Sequence, residues 1–234
     1  MLNALDGGSV QGYRVHDGRL DEQDGWNRCL GLDPDATPRF TNTPGQVGFT
    51  GEGSRLVVTT KANGSNLLVF GLDGVGAPAD ASVVTHLPGA VPFASVPNGR
   101  HGLFLIEAAT NAVATFAVHP DGSASQEAFA ATGQSATCWI VAVRDLLYAS
   151  SAGSSTLGGF RTADHGRRLT ALGDTSANPG TVDAAVSSDG HYPCAQTGVN
   201  GTVDEFAVDE DVSLTPLGSR TVPGGAGGEG IVAL

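Results

Sequence analysis

Residues 45–87, GQVGFTGEGSRLVVTTKANGSNLLVFGLDGVGAPADASVVTHL, decide how this chain is read. β-Branched and aromatic runs alternate there with Gly/Asn/Asp/Ser clusters, the punctuation of antiparallel hairpins. QVGFT predicts an inner strand, RLVVTTK a second, NLLVFGLD a third and ASVVTHL an outer edge strand, with GEGS and ANGS as turns. The pattern then recurs. PFASV, HGLFLIE and AVATFAV form the next unit; TCWIVAV, LLYASS and TLGGFRT follow, and then VDAAVSS, YPCAQT and TVDEFAV. Each third strand carries a marker aromatic. Phe70, Phe116, Phe160 and Phe206 are 46, 44 and 46 residues apart, and Tyr13 stands 57 residues before Phe70. A repeat of roughly 40–50 residues with several short strands per unit predicts an all-β fold, a β-propeller of four-stranded antiparallel blades.

The ends extend the pattern. MLNAL, SVQGYRV and RLDEQ predict a second, third and fourth strand without a first, and GGEGIVAL at the other end predicts a first strand without successors. Shared between the termini, they would complete one blade and hide its edges. The expected organisation is a single β-propeller domain over 1–234, with about five blades. Residues 1–23 and 225–234 form a composite or partial blade, 24–43 a long insertion loop, and 44–87, 88–132, 133–175 and 176–224 the others. Pro193 falls inside a predicted second strand, where a missing ladder donor predicts irregularity.

Composition narrows the functions. Glycine is 34 of 234 residues, about twice the usual ~7%, as a chain full of tight turns requires. The net charge of −12, with only 12 scattered Lys and Arg, argues against a nucleic-acid partner, because phosphate binding needs clustered cations. No apolar run nears the ~20 residues of a membrane helix, so no membrane partner is expected. Cys29, Cys138 and Cys194 lie in no C-x-x-C arrangement, and the six histidines form no H-x-H or H-E-x-x-H spacing; neither a metal site nor a cofactor is expected. The opening MLNALDGGSVQGYRV carries no charged leader or apolar signal core and reads as the middle of a repeat, leaving the compartment open.

TPGQVGFTGEGSRLVVTTKANGSNLLVF (43–70), LFLIEAATNAVATF (103–116) and TVDEFAVDEDVSLTPLG (202–218) resemble the bacterial lactonase-family β-propellers, the group related to 6-phosphogluconolactonase and the carboxymuconate-lactonising cyclase. The resemblance covers nearly the whole chain. It implies a seven-bladed family fold of which this sequence supplies about five blades, with some two upstream blades and any secretion signal outside it. It also implies a lactone hydrolase, a carboxylic ester hydrolase acting on a small-molecule ligand, or a lactonising cyclase. IEAATNAV matches the family's N-E-L-x-N-x-V type segment and carries the catalytic glutamate's role onto Glu107. The family's P-H and P-R pairs have no counterpart: Gly45-Gln46, Pro92-Phe93 and Gly180-Thr181-Val182 stand in their places.

Repeat register adds further candidates. Nine residues before the marker aromatics stand Ala4, Lys61, Glu107, Ser151 and Thr197, at the predicted ends of second strands. A set of Lys, Glu, Ser and Thr at equivalent positions suggests a polar ring near one mouth of a central channel. Glu107 then reads as general acid or base, or as the ion-pair partner of Lys61. Lys61 is the cation available to polarise an ester carbonyl. Gln46, Ser151, Thr197 and Trp26 are the ligand-binding candidates. The alternatives to an enzyme are a non-catalytic ligand-binding or protein-interaction propeller, and a truncated, inactive relative that self-associates through blade edges.

Overall fold

The computed structural model describes residues 1–233. Strands β1 (Leu2–Asn3), β2 (Ser9–His16) and β3 (Arg19–Cys29) form a first sheet, followed by a one-turn helix, α1 (Arg39–Asn42). Strands β4 (Val47–Phe49), β5 (Arg55–Thr59), β6 (Asn66–Gly71) and β7 (Val83–His86) form a second sheet. The third comprises β8 (Pro92–Asn98), β9 (Gly102–Glu107), β10 (Ala112–Val118) and β11 (Ala124–Ala131). The fourth comprises β12 (Thr137–Val143), β13 (Leu146–Ser151), β14 (Thr156–Ala163) and β15 (Arg168–Ser176). The fifth comprises β16 (Thr181–Val186), β17 (Pro193–Thr197), β18 (Thr202–Val208) and β19 (Leu214–Thr221). In every sheet each strand pairs with its neighbour in sequence, the meander of a propeller blade. Among the described residues no helix is long and apolar enough to cross a membrane.

The chain divides into two compact units, 1–103 with 116–126 and 104–115 with 127–234. In the first, Leu56 faces Phe70 and Val58 faces Leu68 across β5 and β6. These four side chains, with Val10, form a buried cluster against which Leu2, Leu30, Val47 and Leu72 pack. The period-2 spacing puts all four on one face of the sheet, which is why RLVV and NLLVF fold as strands rather than a helix. In the second unit the cluster contains Val141, Val143, Tyr148, Leu157 and Phe206, with Trp139 packed against it. Tyr148 keeps its hydroxyl bonded to the Val212 carbonyl at 3.1 Å, and burial pushes its pKa up to about 12. Phe70, Phe116, Phe160 and Phe206 are all buried, each contributing about 1.5–3 kcal/mol of hydrophobic stabilisation.

Two expectations need correction. Residues 24–43 are not one loop: 24–29 continue β3. After a register shift between Gln11 and Tyr13, Asn27, Arg28 and Cys29 pair with Gln11, Val10 and Ser9. Arg28 fastens that extension, donating to Ala79 O at 2.7 Å and to Gly25 O at 2.6 Å, with Asp80 3.1 Å away. The run from 30 then packs on the β1–β2 turn through Leu30 N–H to Gly8 O and Leu32 N–H to Gly7 O.

The C-terminal segment, expected as the first strand of the first sheet, forms no strand over 225–233; Leu234 lies outside the described residues. Gly224, Gly227 and Gly230 have φ of +71°, +75° and +110°, which break an extended run. Gly227 N–H bonds Gly198 O, and Ile231 N–H donates to Asp183 Oδ2 at 3.3 Å, so the segment lies against the fifth sheet. Pro193 is the first residue of β17, a position a strand tolerates, and it pairs regularly with Val186; the irregularity falls at the other end of β17, where Thr181 and Asp183 face Thr197 and Gln196.

Candidate functional site

In the second unit Glu107 ends β9 and is only 6% exposed. Its carbonyl accepts from the Thr110 N–H and hydroxyl, closing the β9–β10 turn. Its carboxylate makes no hydrogen bond or ion pair among the described residues, and burial alone raises its pKa above the usual carboxylate range. Ser151 and Thr197 end β13 and β17, the equivalent places, and both are fully buried. The Ser151 hydroxyl lies 2.9 Å from that of Thr137, which in turn meets Thr132 at 3.1 Å. Thr197 Oγ1 meets Thr202 Oγ1 at 2.6 Å and accepts the Thr202 N–H. Both hydroxyls are engaged within their own unit.

Asp183 belongs to this unit's polar set and escaped the sequence reading. It lies in β16 opposite Gln196 and is 6% exposed. Oδ1 accepts the Ala184 N–H at 2.7 Å and Oδ2 the Ile231 N–H. Burial raises its pKa and the Glu229 charge adds to this, against backbone donors that lower it. Gln196 Oε1 is buried without a hydrogen-bond partner among the described residues. The available signal was an acid inside the otherwise apolar phrase TVDAAV. Nearby Cys138 bonds the Val182 carbonyl at 3.4 Å, and its thiol is pushed up to about 12, by burial first and then by the Glu229 and Asp183 charges. That thiol is inert as a nucleophile at neutral pH.

The first unit holds the other candidates. Lys61, two residues past β5, is buried; its Nζ donates to the Phe40 carbonyl and lies 5.0 Å from the centre of the Phe93 ring. Gln46 is half-buried and its Oε1 accepts the Ser95 N–H, while its Nε2 engages no described residue. Trp26 is half-buried in β3 and lines an apolar cavity. Ala4 is exposed just beyond β1. Among the described residues no three His, Cys, Asp or Glu side chains converge as metal ligands.

Consecutive meander sheets, each later one built round a buried third-strand phenylalanine, define the class: this is a β-propeller. The solved structures it resembles include lactonases. A candidate 6-phosphogluconolactonase of Bacteroides uniformis superposes with a TM-score of 0.74 at 18% identity over 94% of this chain. A second, from Bacteroides fragilis, gives 0.74 at 18% over 92%. The periplasmic gluconolactonase of Pseudomonas aeruginosa gives 0.72 at 16% over 94%. The chain spans 67%, 65% and 66% of those three proteins' lengths. At such identities the likeness establishes the fold. No family model matches the sequence, and no curated protein matches it.

Proposed function

We propose that this chain is a lactonase-like propeller protein that opens or closes a small lactone, with Glu107 as general acid/base. The observation that carries the reading is Glu107 itself, a buried residue at a strand end whose carboxylate has no donor or cation committed to it among the described residues. Such a group keeps its proton affinity and its freedom to exchange a proton. In the hydrolytic direction the ionised carboxylate takes a proton from the attacking water. The new C–O bond forms at the carbonyl carbon, the bond to the ring oxygen breaks, and the proton passes to that oxygen, giving a hydroxy acid. Lactone closure is the reverse. Lactonase propellers among the structural neighbours support the substrate class.

The test is base uptake in a pH-stat with five- and six-membered sugar and aliphatic lactones, comparing the protein with Glu107→Gln. Removing a general acid/base costs roughly 100- to 10,000-fold in rate. A loss of that size in folded Glu107→Gln is expected. Equal turnover in the two proteins, or none above buffer in the parent, rejects the assignment.

A further inference from the structure

We propose that the first unit carries a binding site for a small uncharged aromatic compound of one or two rings, in the apolar cavity beside Trp26. The site is separate from Glu107 and does not depend on lactone chemistry. The cavity measures about 310 Å³, and Trp26, Tyr13, Phe49, Leu20, Leu56 and Pro78 line it. That is roughly twice the ~150 Å³ apolar cavity that takes up benzene, and it falls within the range of small-molecule sites.

The walls are already set. An added Cβ on Gly12 would come 2.6 Å from Trp26 Cε3, and one on Gly76 3.5 Å from its Cη2, so the indole is seated against two glycines. The Arg14 guanidinium lies 5.3 Å from the centre of the indole ring. A fixed aromatic wall loses little entropy on binding. Val47, in β4, packs its side chain against the Leu56, Val58 and Val10 cluster and lines the same cavity. Leu20 and Phe49 remain 57% and 55% exposed, giving an apolar lip.

The chemistry of the occupant follows from what the lining lacks. No lining side chain is charged, and the Met1 ammonium at the lining is engaged by the Gln11 carbonyl at 2.6 Å. The amide of Gln11, the polar side chain among them that is not aromatic, is spent: Nε2 donates to Gly12 O and Gln23 O, and Oε1 accepts from Asn27. The Tyr13 hydroxyl and the Trp26 indole N–H are the polar side-chain groups left on the lining, so a strongly hydrated ligand would lose more hydration than it regains. Both signs of charge are opposed as well. Arg14 over the indole repels a cation, whereas Asp73, whose charge interacts with Arg14, and Glu22, paired with Tyr13 across β2 and β3, repel an anion. Aromatic side chains favour ring-on-ring packing, and water in an apolar cavity is readily displaced.

The experiment uses the full chain with Trp139→Phe, which leaves Trp26 as the single tryptophan. N-phenyl-1-naphthylamine, a neutral two-ring-system fluorophore, should bind saturably at one per chain and quench Trp26 emission by energy transfer. Val47→Phe, which enlarges a side chain that lines the cavity, should weaken binding at least tenfold while circular dichroism stays intact. If phenylalanine prevents folding, Val47→Leu carries the same test with a smaller loss, and ligand-induced rise of the parent's melting temperature reports binding to the folded state. Non-saturable partitioning, or full affinity in folded Val47→Phe, overturns the site. Equal affinity for an anionic naphthalene sulfonate overturns the uncharged class. A dimer by light scattering whose formation displaces the fluorophore assigns the cavity to a second copy instead and overturns the proposal.

Discussion

A carboxylate buried without a donor facing it opposes folding whenever it is ionised, and Glu107 is in that position. Its folded pKa lies above its unfolded one, so its favourable contribution is complete below about pH 4.3, where both states are protonated. It is lost as pH rises through the folded value. Glutamine keeps the shape and removes the charge. Glu107→Gln should therefore melt above the parent at pH 7, and the two should converge as pH falls towards 4. Matched thermal melts at the two pH values read this directly, and a variant less stable at pH 7 rejects the unpartnered carboxylate. Stability gained where chemistry is lost is the mark of a residue kept for reactivity. Glu107 was legible because it sits nine residues before Phe116 in a repeated phrase. The same register picked out Ser151 and Thr197 but not the fate of their hydroxyls, since Thr137 and Thr202 reach them from neighbouring strands. Asp183 was illegible for the opposite reason: its burial depends on a C-terminal segment that folds back onto it.

At the scale of strands and turns, close backbone approach decides which glycines can change. A Cβ on Gly51, in the β4–β5 turn, would stand 1.9 Å from the Gly99 carbonyl oxygen in the β8–β9 turn, with backbone and not a yielding side chain in its way. Three residues earlier Gly48 has open space. Gly51→Ala should cost about 1–3 kcal/mol, the range of overpacking, while Gly48→Ala should stay within about 0.5 kcal/mol of the parent. Urea unfolding of the pair checks this, and equal midpoints would remove the close approach from the account. Strand phrases were the most legible part of the fold, because alternation such as Leu56/Val58 and Leu68/Phe70 is local. The extension of β3 was not. It rests on a register shift at Gln11 and on Arg28 capturing carbonyls some 50 residues away, and nothing in DGWNRC announces that partner. Bulges beside the marker aromatics were hidden likewise. Gly173 and Gly218, at φ +114° and +151°, flank the register shifts before Phe160 and Phe206, and in the sequence they look like two more turn glycines among 34.

For the whole molecule, two sets of carboxylates pull the pH optimum of stability to the acid side of neutrality. Glu107 and Asp183 are raised, chiefly by burial, so their contribution is lost as pH climbs through their folded values. Five surface groups are lowered. Glu52 accepts from the Ser54 hydroxyl, Asp73 from the Ala77 and Val75 N–H groups, Asp121 and Asp211 from Ser123 and Ser213, and Asp189 from Ser187. Their contribution is present above the ordinary values of about 3.9–4.3 and disappears as pH falls through their lowered ones. The two sets coexist in their favourable forms around those ordinary carboxylate values, before the raised groups lose their protons. Self-repulsion acts in the same direction, because a chain at −12 with a pI near 4.6 sheds net charge as it is acidified from pH 7. Melting temperature should therefore peak on the acid side of neutrality in dilute protein at fixed ionic strength of about 0.15 M, decline towards pH 8 and fall once pH drops below the ordinary carboxylate values of about 3.9–4.3. Combining Glu107→Gln with Asp183→Asn should flatten the upper limb and leave the acid limb in place, since the groups that set the acid limb are untouched. A parent whose stability still rises from pH 5 to pH 8 would show that neither buried carboxylate opposes the folded state.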